Sequence, residues 1–129
     1  LNNDLGFSDD DRKENIRRTT EVAKLFKDAG MVTFVTLISP FEEARQAARA
    51  AIGGGFMEVY VKADLETCKN RDPKKLYEKA MKGEIKSFTG IDSPYEIPKN
   101  PDLVLDTEMW SEEECAEALY SAVVAKVKR

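Results

Sequence analysis

Met31-Val-Thr-Phe-Val-Thr-Leu-Ile-Ser-Pro-Phe-Glu42 is the stretch on which the fold class turns. Its first eight residues are β-branched or apolar almost without a break, the pattern of a strand buried on both faces of a parallel sheet. Ser39-Pro40-Phe41-Glu42 then reads as a helix start, with Ser39 at the N-cap, Pro40 at N1 and Glu42 at N3. Upstream, Ser8 and Asp11 offer a capping box, and Asp9, Asp10 and Asp11 suit the helix dipole. Ile16, Val22, Ala23, Phe26 and Ala29 recur at roughly helical spacing up to Gly30. Downstream, the helix after Pro40 ends at Gly53-Gly54-Gly55. Met57-Glu-Val-Tyr-Val61 reads as a second strand, and Asp64 caps a short helix from about Leu65 to Asn70. Pro73 begins another helix, carrying Leu76, Tyr77 and Ala80 to Gly83. Gly90, Pro94, Pro98 and Pro101 break up the segment from Glu84 to Pro101. Leu103-Val-Leu-Asp106 is a short third strand. Ser111 with Glu114 caps a last helix whose inward stripe is Cys115, Leu119, Ala122 and Val123. This alternation predicts an α/β domain with a parallel sheet. Three strands against the usual five or so suggest the back part of a doubly wound domain.

The composition narrows what such a domain can do. The chain has 129 residues, 42% apolar and 34% charged, enough for one domain with a real core and too apolar for wholesale disorder. Its longest apolar run, residues 31–38, is too short to cross a bilayer, and no basic-then-apolar leader opens the chain. Twenty basic and twenty-four acidic residues give −4, which argues against a general nucleic-acid binder. Cys68 and Cys115 form no CxxC or zinc spacing, so a reduced, cytoplasmic setting is expected. There is no histidine, which removes Ser-His-Asp triads, Cys-His pairs and His-based metal sites. Carboxylates, lysines, arginines, hydroxyls, backbone amides or a ligand's own metal must carry any chemistry. The chain opens on Leu1 and reads as a processed chain, a fragment, or the visible part of something longer.

Ligands of open parallel sheets bind beyond the carboxyl ends of the strands. That places Ser39, at the end of the first strand, where helix N–H groups suit an anion, though a plain capping role fits as well. Residues 69–90 hold seven basic residues against three acidic ones, +4, leaving −8 for the rest of the chain. A basic, irregular segment after a strand end suits a lid over polyphosphate, and equally a solvated helix face. Arg12, Lys13, Arg17 and Arg18, interleaved with acids, are open to the same two readings. Phe7 and Phe88 sit in polar surroundings, where an aromatic either stacks on a base or closes a core edge.

Four stretches together resemble the adenylyl-sulfate (APS) kinase family: Leu1-Asn-Asn-Asp-Leu-Gly-Phe-Ser8, Asp11-Arg-Lys-Glu-Asn-Ile-Arg-Arg18, Ile38-Ser-Pro40, and the run from Arg71-Asp-Pro-Lys-Lys-Leu-Tyr77 through Lys86-Ser-Phe-Thr-Gly-Ile-Asp-Ser-Pro-Tyr-Glu96. The resemblance covers nearly the whole chain. It implies a P-loop kinase-type fold: a parallel sheet flanked by helices, present here as the carboxyl-terminal portion of one domain over residues 1–129, with a lid over approximately 71–98. By the same resemblance, Phe7 and Phe88 sandwich the APS adenine, Arg12 and Asn15 contact APS, and Ile38 and Ser39 line its site. Ser39 matches a position that is a phosphoserine in some members. Lys74 and Ser87, with Phe88, belong to the lid that closes on APS, and Arg71 and Thr107 lie near ATP. No residue of this chain is implied as a metal ligand.

Some family features are missing. After Ser39-Pro40 the run is Phe41-Glu42-Glu43-Ala44-Arg45, where only the arginine survives from the family's charged pattern, and Lys75 replaces a usual glycine. The GxxxxGK[ST] phosphate loop and the Asp-Gly-Asp-Asn segment do not occur in the sequence. The resemblance implies transfer of phosphate from MgATP to the 3′-hydroxyl of APS, giving PAPS and ADP, in a cytoplasmic homodimer, with ATP sulfurylase as a fusion partner or associate. The alternative is a non-catalytic domain that binds APS or PAPS as a regulator, and a weaker option is another P-loop nucleotide kinase. These 129 residues alone are expected not to catalyse the transfer, because no phosphate cradle is among them.

Overall fold

The computed structural model describes residues 1–128. Its elements are α1 (Asp9–Asp28), α2 (Glu42–Ile52), β1 (Val59–Lys62), α3 (Leu65–Arg71), α4 (Leu76–Met81), β2 (Leu103–Asp106) and α5 (Glu112–Val127). β1 and β2 pair in parallel, with Val59 opposite Leu103 and Lys62 opposite Asp106. α3, α4 and the irregular 82–102 segment make the crossover between them, as parallel strands require. α1 packs on α2, and α5 packs on β2. The buried α1 residues Ile16, Thr20 and Ala23 fall on one helical face, and Phe41 and Ala48 are buried at and within α2. The α5 stripe of Cys115, Leu119, Ala122 and Val123 is half-buried. No helix among the described residues is long and apolar enough to cross a membrane.

Among the described residues the sheet has two strands where three are expected. Residues 31–38 have the composition of a buried strand but take no regular structure, because among the described residues nothing forms a ladder with them. Met31, Phe34 and Ile38 are 58%, 64% and 63% exposed. Strand propensity expresses burial and cross-strand packing, so it cannot act without a partner. β1 also starts two residues later than the apolar run suggests.

The helix starts divide into those the local sequence sets and those a distant residue sets. Ser8 Oγ accepts from the Asp11 N–H at 3.2 Å, Asp64 from the Thr67 N–H at 2.7 Å, and Ser111 with Glu114 completes a capping box. Ser39, however, does not cap α2. The helix begins at Glu42 after Phe41, whose side chain makes no capping bond, and the Glu42 N–H donates to Glu96 Oε2 at 2.6 Å. Pro73 likewise does not open α4. The Asp72 carboxylate accepts from the N–H groups of Leu76, Tyr77 and Glu78 at 2.8, 3.1 and 3.1 Å, and so starts the helix at Leu76.

Candidate functional site

One guanidinium gathers several of the residues that the resemblance assigns to APS. Arg12 lies in the first turn of α1, where its side chain reaches both the preceding loop and the 87–89 segment. Its Nε donates to the Phe7 carbonyl at 3.0 Å, its Nη1 to Thr89 Oγ1 at 2.5 Å, and its Nη2 to the Ser87 carbonyl. Phe7 is 74% exposed. Phe88 is half-buried and meets Tyr77 edge-on, with centroids 4.9 Å apart and planes at 74°. Exposed or partly exposed aromatic faces beside a cation suit a planar base and its anionic group. Asn15 lies one turn along the same face of α1 and accepts from Asn2 Nδ2.

The Phe88 turn is fixed from below. Asp92 accepts from the N–H of Ser87 at 2.7 Å and from that of Phe88, and these bonds, Phe88 first, hold its carboxyl below the usual range. Ser87 takes a left-handed φ of 55°, which the two N–H bonds stabilise. Ser93 Oγ lies 3.4 Å from Asp9 Oδ1, tying the same loop to the start of α1. Between them lies an open recess of about 340 Å³ lined by Ser8, Asp9, Ser87, Asp92 and Ser93.

A second cluster sits beyond the carboxyl ends of β1 and β2, where such sheets bind ligands. Arg71, the last residue of α3, donates to Thr107 Oγ1 at 2.8 Å and to the Thr107 carbonyl at 2.7 Å. Thr107 in turn donates through Oγ1 to the Lys62 carbonyl at 2.8 Å and through its N–H at 3.0 Å. The two residues assigned near ATP are thus hydrogen-bonded to each other. Lys62 Nζ pairs with Asp106 Oδ2 at 2.5 Å, which raises the Lys62 pKa and lowers that of Asp106.

The remaining candidates stand apart from both clusters. Lys74 is exposed on the loop before α4, and Ile38 is 63% exposed. Ser39 is half-buried with a left-handed φ of 46°. Its link to the first cluster runs through the chain segment that ends at Glu96, whose N–H donates to the Pro40 carbonyl at 2.8 Å.

Sequence reasoning missed a buried ion network beneath that turn. Arg45, 7% exposed, donates to the Ser39 carbonyl at 2.6 Å and to the Glu96 carbonyl at 2.7 Å. It also pairs with Glu42 Oε2 at 2.5 Å and lies 2.9 Å from Glu58 Oε1. Glu58 is 6% exposed, and Arg49 bridges its other oxygen at 3.2 Å to Asp102 at 2.8 Å. Burial alone would push the Asp102 carboxyl up; the Glu58 N–H and Arg49 outweigh it and hold the pKa below the usual value. The available signal was a glutamate in the apolar run that leads into β1 and an arginine in an alanine-rich helix.

Comparison with known proteins identifies the family. The model of the adenylylsulphate kinase family matches residues 1–106. The chain is 50% identical over 128 residues to the adenylyl-sulfate kinase of Clostridium kluyveri, covering 99% of this chain and 64% of that protein. It is 57% identical over 129 residues to that of Bacillus pumilus, covering 99% and 66%. The solved APS kinase of Mycobacterium tuberculosis, in complex with AMPPNP and APS, matches with a TM-score of 0.86 at 46% identity, covering 96% of this chain and 73% of that one. The architecture is therefore that of a kinase-type α/β domain of the P-loop kind, seen in part. The chain belongs to the adenylylsulphate kinase family. It spans just under two thirds of the length of the curated relatives named here.

Proposed function

We propose that residues 1–129 form the APS-binding face and lid of an adenylyl-sulfate kinase domain, with the lid over about 71–98. The reaction is transfer of the γ-phosphoryl group of ATP to the 3′-hydroxyl of APS. The 3′-oxygen forms a bond to phosphorus, the bridging P–O bond to ADP breaks, and the hydroxyl proton is released, giving PAPS and ADP. One observation carries this reading: the Arg12 guanidinium draws Phe7 and the Ser87-Phe88-Thr89 turn to one point. Two aromatic rings for a base and a cation for an anion are what APS requires. Arg12 and Asn15 contact the substrate, Ile38, Ser39, Lys74 and Ser87 line its site, and Arg71 with Thr107 lies near ATP.

In-line transfer needs no enzyme nucleophile, so a phosphoserine at Ser39 is not required for turnover. Among the described residues no group of three or more acidic or sulfur side chains could hold a metal ion. Asp106, at the strand end, is already paired with Lys62. On this reading magnesium enters with ATP and neutralises phosphate charge there, and the chain supplies positioning. The working unit is taken as a cytoplasmic homodimer, with ATP sulfurylase as the candidate fusion partner.

The test is a coupled ADP-release assay on the natural full-length protein, with APS and, separately, with AMP as acceptor. APS-dependent ADP release with PAPS formation is the expected result. Tight APS binding without turnover would make the protein a binding module instead, and equal use of AMP would make it a different nucleotide kinase.

A further inference from the structure

The Ser39 turn presents a conformation that needs an explanation. Ser39 has a Cβ yet sits at a φ of 46°, in the left-handed region that favours glycine. Such strain persists only where the surroundings impose it. Here Glu96 holds the neighbouring residues, its N–H on the Pro40 carbonyl and its carboxylate on the Glu42 N–H, and one side chain holds Ser39 itself. Arg45 Nη1 donates to the Ser39 carbonyl at 2.6 Å, and Arg45 Nη2 to the Glu96 carbonyl at 2.7 Å. The guanidinium is fixed from behind by Glu42 and by the buried Glu58 carboxylate, itself held by Arg49. A buried ion pair of this kind is weak evidence for stability, since apolar residues of similar volume often serve as well. What it supplies is direction: a planar fork donates to two carbonyls and to the Glu42 carboxylate at fixed angles while lying against Glu58, which an ammonium cannot do.

We propose that Arg45 is a positioning residue for the substrate site. By holding the Ser39 carbonyl it keeps this turn in its left-handed form facing APS, and by holding the Glu96 carbonyl it ties the far end of the lid to the same point. The inference rests on the reading that Ser39 lines the APS site. The chain thereby couples two parts of that site, the Ser39 turn and the 87–96 segment, through one cation that does not touch substrate.

The experiment uses the natural full-length protein and reads APS affinity by calorimetry and KM for APS and ATP separately. Arg45→Lys keeps the charge and loses the fork; it should weaken APS binding about tenfold or more while KM for ATP stays within about twofold. In a Ser39→Gly background the same change should cost clearly less, because glycine adopts positive φ unaided and only the tie to Glu96 is then lost. An equal loss in both backgrounds, or equal damage to APS and ATP, overturns the proposal. Should Arg45→Lys fail to fold, Arg45→Met with Glu58→Gln removes both buried charges together and carries the same expectations. Ser39→Tyr separates the two ideas. Unchanged APS affinity in Ser39→Tyr overturns the placement of Ser39 itself. Lost affinity there, with none lost in Arg45→Lys, overturns only the role of Arg45.

Discussion

The two halves of the 71–98 segment are built differently. Residues 72–84 close their hydrogen bonds largely among themselves: Asp72 holds the start of α4, Lys75 donates back to Asp72, Gly83 to Ala80 and Glu84 to Lys79. Leu76 and Met81 are 40% and 59% exposed, so the apolar packing of this half rests on the buried Ala80 and on the edge of Tyr77 against Phe88. Residues 87–96 are anchored at both ends, to the start of α1 through Arg12 and Asp9, and to the start of α2 through Glu42 and Arg45. Thr89 and Ser93 are buried. Regions with few buried contacts open at lower free energy than those with many. The half that carries Phe88 is therefore preorganised, and movement of the proposed lid belongs to the basic half around Lys74, Lys79 and Lys82.

The most damaging change should be Arg12→Ala. It removes the cation proposed to contact APS and also releases Phe7, Ser87 and Thr89. Charge-assisted hydrogen bonds of this kind contribute about 1.5–3 kcal/mol, so kcat/KM for APS should fall roughly hundredfold. KM for ATP should change far less. Steady-state kinetics with each substrate varied in turn gives the answer, and equal damage to both would place Arg12 outside the APS side.

Phe88→Ala comes next. Base stacking on an aromatic is worth about 1–3 kcal/mol, so APS should bind about tenfold more weakly. The sequence alone suggests a nearly unchanged Tm, since Phe88 lies in a loop without helical or strand periodicity. The edge contact with Tyr77 changes that expectation: an aromatic pair contributes about 0.5–1.5 kcal/mol, and a small drop in Tm should accompany the loss of affinity. A large Tm drop with APS affinity intact would make Phe88 a core residue.

The pH dependence of the anchored half is a finer probe. Asp92 has a folded pKa below its ordinary value because it accepts the Phe88 and Ser87 N–H groups. A carboxyl depressed in this way contributes stability above its unfolded pKa, about 3.9, and loses it as pH falls through the folded value. The Ser87 and Phe88 amide resonances should stay constant from neutral pH to about 4 and move only below that. Asp92→Asn should abolish this movement, and a midpoint above the ordinary carboxylate range would contradict the assignment.

Most of the fold could be read wherever local chemistry decides. Ser8, Asp64 and Ser111 cap the helices that follow them, and the parallel pairing of the strands follows from their alternation with helices. Reading failed where a distant residue decides. Residues 31–38 and 57–61 look alike as sequence, yet among the described residues only the second finds a ladder partner, in Leu103–Asp106. Ser39 loses the cap of α2 to Glu96, 57 positions away. For the candidate site, Phe7, Arg12, Arg71 and Thr107 are named by the resemblance alone, and the structure adds that Phe7 is bonded to Arg12 and Arg71 to Thr107. The Arg45–Glu58–Arg49–Asp102 network was not, because a charge in an apolar run becomes informative only once its buried partner is known.

Asp72→Asn should give the smallest effect, and it tests the other half. Asp72 accepts from three consecutive N–H groups at the start of α4, and these bonds outweigh the upward push of its partial desolvation to leave its carboxyl below the usual value. An amide keeps one acceptor oxygen but loses the charge that favours a helix N-terminus. α4 has only six residues, too few to sustain itself by propensity, so it should fray when this cap weakens. Global Tm should hardly move, because the helix buries little beyond Ala80. Hydrogen exchange should quicken from Leu76 to Met81 while the amides of Ser87 and Phe88 keep their protection. Faster exchange in both stretches would mean that the halves unfold together, and the division between an anchored and a movable half would fail.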